Sequence, residues 1–534
     1  MSLLLVLLAA VLRAVALPGW LWGGLVLPAI LFRILYWERG GNKKGDYLGG
    51  VVFWSLAFSF LGNIHPLMPI PVGLIMGWFW VAGGVLFRRL RPWMPAGLAG
   101  PGALLIMAWA HQWFPMGGSP WASYALGLAD VPAVLSMGSI VGELGASAVL
   151  VFGAGCLFTL STRGPRLALL PFIVTLALIL PQTFITWARK PAPPDLQCLG
   201  IQANIGLNEK HEPELAGEIY KRHLELTHAG LQDGPDPDVV IWAETMWPFP
   251  ALPNEAVGEM RRPWPNQPTE VVPARELLDL QQMAVAQVMS PAPPSTTFLI
   301  GSHFYQAVQP NAPAEVMSER TSEVLLFSQS GTILSQMSKS ELVPFGERLP
   351  LKGAFPGSES VAMGVFAASG LLPNFTFTDR RGPLTIPLAE GPPAKIGVAV
   401  CWENVFPGVF RQQALDGAEA FVVLSNEAWY GTSAEFDQML AATQWRAAET
   451  QRYILRVTNT GVSALIHAGG AHVRTLPHNT PRAWPIRLPR VDSARTTPYL
   501  RGAWAFFPGL SLLLLLLALL PKRKFDAQEG VPFA

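Results

Sequence analysis

Residues 397–407 read GVAVCWENVFP. Small and β-branched residues run up to Cys401, an acid follows at Glu403, and Pro407 marks where a new element begins. The pattern is that of a buried strand ending in a thiol. The same pattern recurs on both sides of it. Runs at 196–205 (LQCLGIQANI), 237–244 (PDVVIWAE), 295–304 (STTFLIGSHF), 322–338 (SEVLLFSQSGTILSQMS), 394–401 (AKIGVAVC), 420–429 (AFVVLSNEAW) and 453–467 (YILRVTNTGVSALIH) are rich in β-branched and aromatic residues. Between them, 213–230, 274–289 and 433–452 carry apolar residues at helical spacing. Strands alternating with amphipathic helices predict an α/β domain over residues 188–501. SQSG at 328–331 is expected to be a hairpin turn. No GxGxxG, Walker A or GxSxG sequence follows a strand, which argues against nucleotide chemistry and a serine nucleophile elbow.

Outside this region the composition changes. Half of the 534 residues are hydrophobic and 14% are charged, against about a quarter in ordinary soluble domains. The apolar excess lies before residue 188 and after 502. Membrane-spanning helices are expected near 2–17, 19–36, 47–63, 67–87, 96–114, 143–161, 166–187 and 502–520, the first retained rather than cleaved. Arg39, Lys43 and Lys44, then Arg88, Arg89 and Arg91, then Arg163 and Arg166, and finally Lys522, Arg523 and Lys524 occupy alternate ends. The opposite connections, GNIHP at 62–66 and 111–142, contain no Lys or Arg. Basic loops stay in the cytoplasm, so 188–501 is expected outside it and the C-terminus inside. The spans contain almost no charge beyond Arg13 and Arg33, which are expected to snorkel from near helix ends.

The net charge of +1 and the lack of a basic stripe in the middle give no reason to expect nucleic acid. Three cysteines, Cys156, Cys198 and Cys401, make no disulfide framework, and no CxxC or HExxH offers a metal site. Cys198 is expected to be buried and inert.

Three strand ends carry chemistry. Glu244 ends PDVVIWAE, Lys339 follows the hairpin, and Cys401 ends AKIGVAVC. Singly, each reads as a packed thiol or a solvated terminus. Together they form a working set, with a nucleophile, a general base and a cation for an oxyanion.

VVIWAETMWP (239–248), KSELVPFGERLP (339–350) and VAVCWENVFP (398–407) resemble the Glu, Lys and Cys motifs of the carbon–nitrogen hydrolase (nitrilase) superfamily. LVPFGE (342–347), and NEAWYGTS (426–433) followed by RVTNTG (456–461), are similar to its membrane branch, the apolipoprotein N-acyltransferase family. The resemblance covers essentially the whole chain. It implies a multi-pass helical bundle over 1–187, a nitrilase-like αββα sandwich over 188–501, and a last helix with a short cytoplasmic tail over 502–534. It implies a Glu244–Lys339–Cys401 triad aided by Glu347. Glu403 would have an orienting or a structural role, and Trp402, Asn426, Trp429 and Tyr430 would shape the pocket. The implied chemistry is ping-pong, with an acyl chain passing from a phospholipid to a Cys401 thioester and then to the amine of a diacylglyceryl-cysteine lipoprotein. No cofactor or metal is implied. The expected partners are phospholipid, lipoprotein and bilayer, with the protein a monomer in a bacterial inner membrane.

The sequence departs from that pattern at Arg320–Ser322, Ser340, Glu341, Trp402 and Ala434–Met439. A membrane-tethered amidase, or an acyltransferase for another amine, therefore stays open, as does a scaffold or transporter with a vestigial triad. The apolar, Gly-rich segment 351–375 reads as a mobile lid or a packed loop. The stretch 114–141 reads as a roof to the cleft or a plain connection.

Overall fold

The computed structural model describes residues 2–115, 117–163, 194–255, 259–261, 271–305, 320–344, 346–347 and 380–521. The expected span at 166–187, the segment 351–375 and the basic cluster at 522–524 lie outside them.

Two six-stranded mixed sheets form the centre of the hydrolase-like half. The first has the order β14 (Arg482–Leu488), β1 (Leu196–Gln202), β2 (Val239–Trp242), β5 (Thr297–Tyr305), β6 (Arg320–Phe327) and β7 (Ile333–Ser338). The second has the order β13 (His472–Thr475), β12 (Ala464–Ile466), β11 (Ile454–Thr458), β10 (Ala420–Ser425), β9 (Ala394–Val400) and β8 (Leu384–Ile386), while β3 (Glu259–Arg261) and β4 (Val271–Pro273) pair separately. In the first, β1 (Leu196–Gln202), β2 (Val239–Trp242) and β5 (Thr297–Tyr305) run parallel. In the second, β9 (Ala394–Val400), β10 (Ala420–Ser425) and β11 (Ile454–Thr458) do so. These central strands are apolar and buried, as strands covered on both faces must be. Ile241 and Leu299 share one core with Val398, Val422 and Leu455, and a Cβ on Gly200 would lie 3.2 Å from Val457, so the sheets pack face to face. Helices Ala216–Asp233 and Ala274–Met289 cross over the first sheet, and Pro407–Leu415 and Glu435–Thr450 cover the second. The layers are αββα, as expected.

The strand runs read from sequence are all present. Among the pieces that were not legible are the helix Pro407–Leu415, the short strands β8 (Leu384–Ile386) and β13 (His472–Thr475), and β14 (Arg482–Leu488). β14 contains Pro485, which normally argues against a strand. It is tolerated because β14 is an edge strand, paired only with β1.

The apolar remainder is helical. Ser2–Val15, Val26–Glu38, Lys43–Ala57, Pro69–Leu90, Ala96–Ala110, Gly138–Arg163 and Phe506–Leu519 fall close to the expected positions. Pro69–Leu90 and Gly138–Thr162 are long and apolar enough to cross a bilayer. The latter is broken at Gly142, whose φ of 71° few other residues adopt. Arg33 does not snorkel. It is 4% exposed, lies 3.9 Å over the Trp80 ring and donates to the Trp80 carbonyl at 3.4 Å. An aromatic cage with a backbone acceptor holds the guanidinium inside the bundle.

The two halves share a wall. Trp121, between Ala110 and Gly138, stacks on Trp402 at 5.5 Å and 11°, and donates to Gln438 Oε1 at 2.6 Å. Phe60, beyond the helix Lys43–Ala57, meets Tyr430 edge-on at 5.1 Å. Asn63 donates to the Tyr430 carbonyl. The stretch 114–141 is thus more than a connection, because its Trp121 lies against the residue next to Cys401.

Candidate active site

Parallel strands present their carboxyl ends along one edge of a sheet, where loops can converge on a ligand. β7 (Ile333–Ser338) is antiparallel to β6 (Arg320–Phe327), which is antiparallel to β5. It therefore runs with β5 and β2, and Lys339 emerges at the same edge as Glu244. The Lys339 ammonium donates to Glu244 Oε1 at 3.2 Å and to Glu347 Oε1 at 2.7 Å. Its side chain is fully enclosed. The second oxygen of each acid is also held. Glu244 Oε2 accepts from the Asn426 backbone N–H at 3.1 Å, and Glu347 Oε2 from that of Val343 at 2.9 Å. Gly301 on β5 lets the strand of Glu244 approach, since a Cβ there would lie 2.8 Å from the Glu244 Cα.

Cys401 begins a 3₁₀ turn, Cys401–Val405, directly after β9. Its φ is 49°, and Thr245, next to Glu244, has φ 52°. Each left-handed residue costs about 1–2 kcal/mol, strain of the kind that concentrates at functional sites. Glu403 holds the turn. Its Oε2 accepts from the Val400 N–H at 2.9 Å. Its Oε1 accepts from the Ser340 N–H at 2.6 Å, the Ser340 hydroxyl at 2.7 Å and the Glu341 N–H at 3.2 Å. These bonds tie the cysteine turn to the lysine loop. Ser340, a departure from the family pattern, supplies two of the donors.

Asn426 offers its backbone to Glu244, while its side-chain oxygen accepts from Asn459 Nδ2 at 2.9 Å. Asn459 also bonds both backbone groups of Ile205. Trp402 and Tyr430 face the helical half, and Trp429 is partly exposed beside Tyr430. Cys198 is 2% exposed and burial raises its pKa, in line with an inert thiol.

Lys339 does favour the Cys401 thiolate, but burial first, then Glu244, Glu347 and Glu435, push the thiol well above its usual pKa. Burial disfavours the Lys339 ammonium, yet Glu244, Glu347 and Cys401 outweigh it and hold the proton firmly. The resting pair is a thiol and an ammonium, so the sulfur must lose its proton as it attacks. Mapped by peptide mass, Cys401 is expected to react with iodoacetamide more slowly than a free cysteine at neutral pH. Its rate should keep rising above about pH 9, where a free thiol levels off. A plateau below about pH 8 would mean a standing thiolate and contradict this arrangement.

Lys210 was not singled out from the sequence. It sits in the short helix Leu207–His211 just beyond the carboxyl end of β1, donates to the Thr245 hydroxyl, and lies in the field of Glu244 and Cys401. Burial lowers its pKa to about 8. Its position after a strand end was the available signal, but a lysine in a polar run ordinarily reads as solvated.

The carbon–nitrogen hydrolase family model matches residues 309–499. The chain is 26% identical to the apolipoprotein N-acyltransferase of Rhizobium meliloti (strain 1021) over 459 residues, 82% of this chain and 76% of that protein. It is 24% identical to that of Photobacterium profundum over 540 residues, 99% of this chain and 91% of the other. Among solved structures it is similar to a carbon–nitrogen hydrolase from Helicobacter pylori G27, with 14% identity, 59% of this chain and 94% of that one covered, and a TM-score of 0.34.

Proposed function

The chain belongs to the apolipoprotein N-acyltransferase family of the carbon–nitrogen hydrolase superfamily, and from that premise we propose that it acylates lipoproteins through a thioester on Cys401. The observation that carries this reading is the buried Lys339 ammonium between Glu244 and Glu347, at the strand edge where Cys401 opens its turn. In the first step Sγ attacks an ester carbonyl of a phospholipid as Glu244 takes the thiol proton. The Lys339 ammonium stabilises the oxyanion. Collapse breaks the ester C–O bond, and the lysophospholipid oxygen leaves with the proton from Glu244. In the second step the neutral α-amine of a diacylglyceryl-cysteine attacks the thioester. Glu244 takes one of its protons, the C–S bond breaks, and the thiolate recovers that proton. Glu347 holds Lys339 in place, and Glu403 holds the cysteine turn.

Such a donor stays in the bilayer, so the thiol must work at its surface. We read 1–187 as a multi-pass bundle, 188–501 as an extracytoplasmic hydrolase domain, and 502–534 as a last span with a cytoplasmic tail. Leu74, Trp78, Leu512, Leu513 and Leu516 are exposed on the helices, as lipid-facing side chains are. The loops bearing Phe60, Asn63 and Trp121, which touch the hydrolase domain, come from the connections without Lys or Arg. That agrees with the basic ends lying in the cytoplasm.

The test is the intact mass of the detergent-solubilised protein given phospholipid, with Cys401→Ala alongside. A hydroxylamine-sensitive gain of one acyl chain is expected, absent in the variant. No gain in folded wild-type protein with phospholipid present would remove the thioester reading.

A further inference from the structure

Glu435 opens the helix Glu435–Thr450 and is 1% exposed. Neither of its carboxyl oxygens has a hydrogen-bond partner. Such a group costs heavily to bury, so a buried acid with both oxygens open is uncommon without a ligand or water to meet it. The nearby cation does not meet it. Arg456 spends its donors on Glu427, on the Thr443 hydroxyl at 2.9 Å and on the Val462 carbonyl at 3.2 Å. Around Glu435 the Nδ2 of Asn426, the Nε2 of Gln438 and the Oε2 of Glu427 are also buried and open. Glu435 lies close enough to act on Cys401 and Tyr430. Glu435 thus belongs to a set of buried, unpartnered polar groups within the field of the thiol.

We propose that Glu435 is the binding group for a primary amine that is brought to the Cys401 side of the cleft. This deepens the acyl-transfer reading and rests on it. Burial first, then Glu427, with Arg456 opposing, raise the pKa of Glu435 well above the carboxylate range, so at neutral pH it is an acid that can donate as well as accept. An acid and a neutral amine hold the same number of protons as a carboxylate and an ammonium. The amine thus enters with its charge balanced inside the site, held either as an ammonium on the carboxylate or as a neutral amine whose N–H a carboxyl oxygen accepts. In the neutral form, with the acid proton turned away from it, the nitrogen keeps the lone pair that attack on a thioester requires. The thiol is itself only 8% exposed.

Two sources of amine fit this chemistry, the α-amine of the acceptor and the amine of an ethanolamine headgroup on the donor. Full-length wild type and Glu435→Gln would be compared in two half-reactions. The first is thioester formation from phosphatidylglycerol and from phosphatidylethanolamine. The second is transfer from the preformed thioester to a diacylglyceryl-cysteine lipopeptide at a range of concentrations. With the acceptor as source, Glu435→Gln raises the half-saturating lipopeptide concentration by about tenfold or more, the loss expected for a charge-assisted hydrogen bond. Thioester formation from both lipids then stays within about twofold, inside the scatter of a surviving neutral bond. With the donor as source, formation from phosphatidylethanolamine alone falls. Unchanged half-saturation together with unchanged lipid preference overturns the proposal and leaves these polar groups to water. If wild type forms no thioester, it is the acyl-transfer reading that fails. Should Glu435→Gln not fold, wild type decides through competition between the lipopeptide and its N-acetylated form, and equal affinity overturns the proposal.

Discussion

Lys339→Met is expected to abolish acyl-thioester formation and to lower stability at the same time. Lys339 is the ammonium to which both Glu244 and Glu347 are bonded, within a fully enclosed side-chain site. Its removal leaves two buried carboxyls facing an apolar side chain. Breaking one partner out of a buried ion pair typically costs about 3–5 kcal/mol. The rate suffers independently, because the positive charge beside the reacting carbonyl is lost. One such donor is worth about 100- to 1,000-fold, and a misplaced Glu244 adds to that. The measurement is single-turnover thioester formation followed by mass, with a thermal melt of the same sample. Survival of either the rate or the melting temperature would show that Glu244 and Glu347 are held by something other than this lysine.

Arg446→Ala should have the largest effect on stability away from the triad. Arg446 lies in the hydrolase-like half, fully buried, with Glu143 of the helix Gly138–Arg163 at 2.6 Å and Glu449 at 2.9 Å. It also donates to the Val405 carbonyl at 3.0 Å, at the end of the cysteine turn. Glu449 Oε1 in turn accepts from the Glu143 backbone N–H at 2.9 Å. Loss of the guanidinium should cost about 3–5 kcal/mol. The cost should depend on pH, because burial, against the pull of Arg446, raises the Glu449 pKa to about 7. A carboxyl raised in the folded state supports folding below its unfolded pKa, and that support fades as pH rises through the folded value. At pH 5 Glu449 is mostly protonated and misses Arg446 little, whereas at pH 8 the variant must bury a bare charge or take up a proton. Melts at the two pH values should show the larger deficit at pH 8, and equal deficits would contradict this account.

The chemistry of these sites was only partly legible in the amino-acid order. Glu244, Lys339 and Cys401 stood out because each ends an apolar strand run, and strand ends are where a sheet collects ligands. That they converge depends on two antiparallel reversals from β5 to β7, which set the direction of β7. Pairing order is not written locally. β14 was hidden by Pro485, whose missing donor matters little on an edge strand. For Glu403 an orienting and a structural role were both open, and its oxygens meet Val400, Ser340 and Glu341, contacts that sequence spacing cannot reveal. Arg33 seemed placed to reach a surface, but Trp80, distant in sequence, covers it. Glu435 stood out only as one of the departures at Ala434–Met439, because being without a partner is a property of the folded surroundings.

The stack of Trp121 on Trp402 limits how this molecule can be divided. A catalytic domain is often treated as a module that can be cut from its anchor and joined to another carrier. Here the residue after Cys401, the proposed nucleophile, leans on a ring supplied by the apolar half, and Gln438 accepts from the same indole. Excision of 188–501 would yield a sandwich with all its strands and an unbuttressed reaction centre. Any soluble version would have to carry a replacement for that indole.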